Sequence, residues 1–314
     1  MKILFIDPAV NSGTSYKYRY YDGLYNELIK HHEVYHCRNI PHDFKNLYVK
    51  MGFKPECIIF GLGWFNCGHF DKIDNIDVPS VCFLFKPQND LEKKLKFCKI
   101  NNIDLILTPA PDYQQYEQKS GVRTELFPYG FDPTLFKKKN VAKKYDIGFS
   151  GALHQSVLYP NDSFKINNLR PKIGQILQNQ QEISVFWNSS DDASTAFIDN
   201  HEEYAATIGM SRMWIATLAA FGDVTPRYYE VLGSGTVLVC QKIPDVYKFL
   251  LKDGTNCIEF DDDLSKFIPK IKYYLQNEEE LNRISRNALE FFHENWTWAH
   301  RAQELINLVV EIKK

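Results

Sequence analysis

Long apolar runs are missing from this chain of 314 residues. None approaches the roughly 20 residues that a membrane-spanning helix needs. The apolar run behind Met1-Lys2 stops at Asp7, too short for a secretory leader. An excess of charge of either sign is missing too: 37 Lys and Arg stand against 39 Asp and Glu, a formal net charge of −2. Such a balance gives no electrostatic reason to expect a nucleic acid partner. The seven cysteines are scattered and odd in number, with no Cys-x-x-Cys and no Cys/His pair at zinc spacing. Cys57, Cys82 and Cys240 lie in apolar runs, where a free thiol behaves as a small hydrophobe. A reducing, cytoplasmic setting is the expectation, and the sequons at Asn161, Asn188 and Asn295 carry little meaning there. Three motifs are absent as well. There is no Walker loop, no Gly-x-Ser-x-Gly, and no third glycine after Gly61-x-Gly63 to complete a dinucleotide fingerprint.

What is present is ordinary for a folded protein, with 24% charged and 44% hydrophobic residues. Aromatic content is 14%, enough for cores and for stacking on sugar rings. Short apolar runs at 2–7, 33–38, 57–62, 80–85 and 104–109 read as buried strands. A helix containing Leu24 and Leu28 and another over 90–99 lie between them, and this alternation predicts a doubly wound parallel sheet. Such sheets bind ligands at the carboxyl ends of their strands, which places the 8–15 loop, Gly61–Trp64 and Lys86–Asp90 on one rim. The stretch 137–144 holds five lysines in eight positions and reads as a solvated linker. Alternation then restarts: strands at 145–150, 183–188, 213–219, 237–239 and 256–260, with helices near 169–179, 202–211, 226–233, 244–251 and 264–276. Two helices, 278–293 and 297–312, close the chain, and the apolar stripe of the second (Trp298, Ala302, Leu305, Val309, Ile312) must be buried somewhere. No repeat is visible.

The stretch TPRYYEVLGSGTVLV (225–239) carries the most chemistry. Thr225 is placed to cap a helix with Pro226 at its first position, and Gly233-Ser234-Gly235 ends it before a buried strand. Arg227 and Glu230 share a face near the helix N-terminus, where free N–H groups and partial positive charge suit a phosphate. Arg227 can clamp a diphosphate and Glu230 can accept hydrogen bonds from vicinal hydroxyls. The same residues also fit a capped helix with an Arg–Glu surface pair.

This stretch resembles the donor-binding helix of two-domain glycosyltransferases of the GT-B superfamily, in its CgeB-like, group 1 branch. LFPYGFDPTLF (126–136), YDIGFSGALHQ (145–155) and FFHENWTWAHRAQELI (291–306) resemble three further segments of that family in the same order. The resemblance implies two Rossmann-like α/β domains facing across a cleft. These are an acceptor domain (1–136, joined by the closing helix 297–314), the linker 137–144, and a nucleotide-sugar domain (145–296). It implies transfer of a sugar from a nucleotide diphosphate to a hydroxyl of a glycan or glycoconjugate, without metal. Ser150 and Gly151 would face the diphosphate, Asn188 the nucleobase, Thr225 and Arg227 the phosphates and Glu230 the ribose. Arg227 would also stabilise the leaving group.

Retaining relatives carry a second Glu eight positions before the one matching Glu230. Here Gly222 stands there, beside Asp223. Retention and inversion both stay open. Asp90 is the candidate base in the first domain, although Asn89 with Glu92 also reads as a capping box around it. His154 and the pair Asp191-Asp192 read as loop polars. Asp261-Asp262-Asp263 contains the Asp-x-Asp of metal-dependent transferases, but its place before an amphipathic helix favours capping. A nucleotide-sugar epimerase and a degenerate binding domain remain the competing readings.

Overall fold

The computed structural model describes residues 1–7, 22–41, 43–61, 72–85, 90–153, 169–190, 198, 200–219 and 222–312. The 8–15 loop, residues 62–64, 86–89, His154 and Asp191-Asp192 lie outside the described residues. The chain forms two compact units: Met1–Tyr129 with Trp298–Lys314, and Gly130–Thr297.

The first unit is built on a six-stranded sheet of order β2-β1-β3-β4-β5-β6, with β1 Lys2–Ile6, β2 Glu33–Cys37, β3 Cys57–Gly61, β4 Ser80–Phe83, β5 Leu105–Thr108 and β6 Thr124–Leu126. Every pairing is parallel. The central strands are buried at each residue, as a parallel sheet covered on both faces requires. Leu4, Ile6, Ile58, Phe60, Cys82 and Ile106 belong to one core cluster. The helices are α1 Asp22–His31, α2 Phe44–Met51, α3 Leu91–Ile100, α4 Tyr113–Ser120 and, from the end of the chain, α10 Trp298–Ile312. In α10, Trp298, Ala302, Leu305 and Val309 are buried, and the Trp298 ring sits directly on Gly23 of α1.

Helix α2 owes its bounds to local chemistry: Asp43 Oδ1 accepts from Lys45 N at 2.9 Å, and Gly52 closes it in the left-handed region at φ 74°. Helix α4 buries only Tyr116 and Ser120, so no apolar period marks it in the sequence.

The second unit has a five-stranded parallel sheet of order β11-β10-β9-β7-β8, with β7 Tyr145–Ala152, β8 Val185–Ser190, β9 Ser211–Ala216, β10 Val237–Gln241 and β11 Ile258–Phe260. Its helices are α5 Leu169–Gln178, α6 His201–Gly209, α7 Pro226–Gly233, α8 Phe267–Gln276 and α9 Glu278–Asn295. Three local expectations change here. The helix over 244–251 shrinks to a 3-10 turn at Asp245–Tyr247. Asn256 takes over the backbone beyond it, donating Nδ2 to Leu250 O at 3.0 Å and accepting from Lys252 N at 2.8 Å. Helix α8 starts at Phe267 rather than 264, because Leu264 is left-handed at φ 58°. The lysine-rich stretch lies inside the second unit, and Lys143 Nζ donates to Gly209 O and Ser211 O, both at 2.8 Å. A long ammonium chain at a helix C-terminus finds acceptors that composition alone does not reveal.

Leu305→Ala is expected to cost about 2–5 kcal/mol in urea unfolding. Hydrogen exchange should accelerate in α1 and β1, while amides of β7 and β9 keep their protection. Faster exchange confined to the second unit would contradict the placement of α10.

Candidate active site

In a doubly wound sheet the ligand crevice opens where successive crossovers change side. In the second unit the chain runs from β7 outward to β8 and then back across to β9, so that point lies between β7 and β9. The carboxyl end of β7 is Ser150-Gly151-Ala152, and Thr217 follows β9 directly.

Two guanidinium groups converge there. Arg170, from the first turn of α5, is 7% exposed. Its Nη1 donates to Ala152 O at 2.6 Å and its Nε to Thr217 Oγ1 at 2.8 Å, which ties the two strand ends together across the switch point. Arg227 comes from the first turn of α7. The Cζ atoms of both arginines lie 5.8 Å from the centroid of the Phe149 ring. Phe149 in turn stacks on Trp187 at 4.5 Å.

Gly151 makes this approach feasible. Its φ of 152° is one that side chains rarely adopt, and a Cβ there would lie 3.2 Å from Arg227 Nη2 and 3.3 Å from Nη1. The strand end thus presents bare backbone to a planar cation.

Arg227 and Glu230 do not pair directly as the surface reading would have it. The phenol of Tyr204, from α6, stands between them: it accepts from Arg227 Nε at 3.2 Å and hydrogen-bonds to the Glu230 carboxylate. Burial pushes the Tyr204 phenol well above its ordinary range, so it stays a neutral bridge. Glu230 is only 5% exposed. Neither Arg170 nor Tyr204 stood out in the sequence. An arginine and a tyrosine in otherwise plain amphipathic helices carry no signal of their own.

Thr225 occupies the N-cap of α7 with extended backbone (φ −74°, ψ 162°) and Pro226 follows at the first position, but its hydroxyl does not cap. Thr225 Oγ1 is buried without a hydrogen-bond partner, while the backbone carbonyl of Thr225 accepts from Tyr228 N at 3.0 Å. The side chain has turned away from the helix it was expected to close, and a buried hydroxyl of this kind favours a ligand partner.

Ser150 and Asn188 are Cα partners on β7 and β8, so their side chains share one face of the sheet, opposite to that of Phe149 and Trp187. Asp223 is buried in the β9–α7 loop, where Ala219 N donates to Asp223 O at 3.0 Å. The acids at 261–263 do not cap α8. Asp263 Oδ1 accepts from Ser265 N and Oγ, both at 2.9 Å, and Asp262 Oδ1 accepts from Gln241 Nε2 at 2.8 Å.

In the first unit, Asp90 sits at the N-cap of α3 in the left-handed region (φ 59°). Its carboxylate pairs with Lys93 Nζ at 3.0 Å and makes no cap bond. Among the described residues no group of three or more acidic, His or Cys side chains is arranged to hold a metal. No helix among them is long and apolar enough to cross a membrane.

Comparison with known proteins adds the chemistry. The family described as glycosyl transferase-like matches residues 172–307. That span takes in α6, β9, α7 and both elements carrying the Arg227–Tyr204–Glu230 bridge. No curated protein matches by sequence. Among solved structures, sucrose-phosphate synthase from Thermosynechococcus elongatus superposes with a TM-score of 0.64 at 13% identity, covering 99% of each chain. A glycosyltransferase from Rickettsia africae ESF-5 gives 0.59 at 12% identity, covering 100% of this chain and 98% of that one. Anabaena Alr3699/HepE, solved in complex with UDP-glucose, gives 0.56 at 15% identity over 99% of this chain and all of its own. Two parallel sheets flanked by helices, the GT-B fold of these neighbours, and a glycosyl transferase-like segment carrying the arginine–glutamate helix make this chain a GT-B glycosyltransferase.

Proposed function

We propose that the second unit binds a nucleotide-diphosphate sugar between β7 and β9 and that the first unit binds an acceptor whose hydroxyl receives the sugar. The observation that carries this reading is the cradle formed by Gly151 and Arg227. Bare backbone at a strand end, a planar cation and the N-terminus of α7 meet where a diphosphate would lie. The Ser150 and Gly151 amides, the unpartnered Thr225 hydroxyl and Arg227 then stabilise the negative charge that grows on the leaving diphosphate. Glu230, held by Tyr204 through one of its lone pairs, keeps others for the ribose hydroxyls. Asn188 meets the nucleobase.

Metal independence follows the same logic. The charge of the diphosphate is met by guanidinium groups and helix-end amides, while Asp262 and Asp263 are committed to Gln241 and Ser265. Uridine nucleotides are the first donors to try, since a protein of this fold has been solved with UDP-glucose. The acceptor is a glycan or glycoconjugate hydroxyl. An epimerase would instead change the free nucleotide sugar with no acceptor present.

A thermal-shift screen of the full chain against nucleoside diphosphates and their sugars tests the reading. A true donor raises Tm with concentration, and the absence of any shift would count against it. Arg227→Lys keeps the charge but loses the planar fork, and kcat is expected to fall at least about tenfold, about 1.4 kcal/mol. Glu230→Gln retains an oxygen for the Tyr204 phenol, so the empty protein should melt nearly as before while calorimetry records weaker nucleotide binding. Tyr204→Phe removes the bridge and leaves Glu230 buried with one partner fewer. It should cost about 1–3 kcal/mol in urea unfolding and lower nucleotide affinity together.

A further inference from the structure

The first unit repeats the topological feature that places the donor cradle in the second. Its chain runs from β1 outward to β2 and then returns to the other side of β1 as β3, so its crossovers change side between β1 and β3. Open α/β sheets bind their ligand there, outside the carboxyl ends of the two strands. The residue that follows β1 is Asp7, and the last residue of β3 is Gly61.

These two are built for each other. Ile6 pairs with Phe60, so Asp7 and Gly61 are the next cross-strand neighbours. A Cβ on Gly61 would lie 1.8 Å from Asp7 Oδ2, so a side chain there and the carboxylate are mutually exclusive. The backbone of Asp7 is pinned from the other flank: its N–H donates to Cys37 O at 3.0 Å, and its carbonyl lies 2.7 Å from His36 Nε2. The side chain, 3% exposed, is thereby directed over the end of β3. Ile3 and Phe5, which precede it at alternate positions on the same face, are apolar and buried. A purely structural position would continue that series, because burying a carboxylate costs free energy that an aliphatic chain would not.

We infer that Asp7, rather than Asp90, is the carboxylate that binds the acceptor hydroxyl and takes its proton. The inference rests on the glycosyl-transfer reading above. Asp90 lies seven positions beyond the end of β4, away from the switch point, with its carboxylate on Lys93. In the step, the acceptor oxygen forms a bond to the anomeric carbon as the bond from that carbon to the diphosphate oxygen breaks. The bonding electron pair leaves on the diphosphate, and the hydroxyl proton passes to the Asp7 carboxylate. Attack from the face opposite the leaving group inverts the anomeric configuration, so the reaction needs no second carboxylate at the position held by Gly222.

The experiment uses the full chain with Asp7→Asn and Asp7→Glu. UDP binding is measured by calorimetry, and cleavage of a UDP-sugar that the wild type accepts is measured with water as the acceptor. Asp7→Asn is expected to lower kcat about 100-fold or more while UDP affinity stays within about twofold. The fall of kcat/KM toward low pH in the wild type should shift in Asp7→Glu and vanish in Asp7→Asn. The first-formed sugar, read by proton NMR before mutarotation, should have the inverted configuration. Near wild-type kcat in Asp7→Asn, a low-pH limb that persists in it, or a retained configuration would each overturn the assignment. If Asp7→Asn does not fold, as lost UDP binding would report, the Asp7→Glu pH profile and the wild-type anomer decide. A wild type that neither binds UDP nor cleaves any UDP-sugar fails the underlying reading. An active wild type with an unaffected Asp7→Asn fails only this inference.

Discussion

Parallel pairing is the constraint on which the rest of this structure depends. A strand whose neighbour runs the same way must be reached by a crossover, and crossovers cover both faces of the sheet. Where successive crossovers leave in opposite directions, two adjacent strand ends remain with no connection above them. The chain has one such place in each sheet, between β1 and β3 and between β7 and β9. Both are furnished with polar groups that a closed core would not tolerate. In the first unit a buried carboxylate meets a glycine. In the second, Arg170 spans the gap and Arg227 lies over another glycine.

The chemistry of the second site depends on burial as much as on charge. Arg227 and Glu230 are held by one neutral phenol, and the low polarity around Tyr204 keeps that phenol protonated. A direct Arg–Glu pair would neutralise both groups against each other. A bridge leaves the guanidinium facing Phe149 and Gly151 and leaves carboxylate lone pairs for hydroxyls. Arg170 has a different task, since its donors are spent on Ala152 O and Thr217 Oγ1 and fix the separation of the two strand ends.

The strands were legible because the physics that buries them also writes them. A central parallel strand such as Cys57–Gly61 is apolar at nearly every residue and reads the same alone as in the sheet. Helices with one buried face, such as α9 and α10, announce themselves by period. Helix α4 does not, since only two of its eight residues are buried. The helix expected over 244–251 had the right period but lost its backbone to Asn256, a competition between a side-chain amide and helical hydrogen bonds that pattern does not register.

By itself the sequence determined the fold class and the helix that carries Arg227 and Glu230, because apolar period and helix punctuation are local properties of a chain. Only the tertiary structure decided what those residues touch. Tyr204 reaches Arg227 from 23 positions away, and Arg170 reaches Thr217 from 47. The carboxylate of Asp7 meets Gly61 only because β3 returns to the side of β1 away from β2. Contacts of that kind depend on strand order, and strand order is set by how whole helices pack on the sheet rather than by any short stretch of residues.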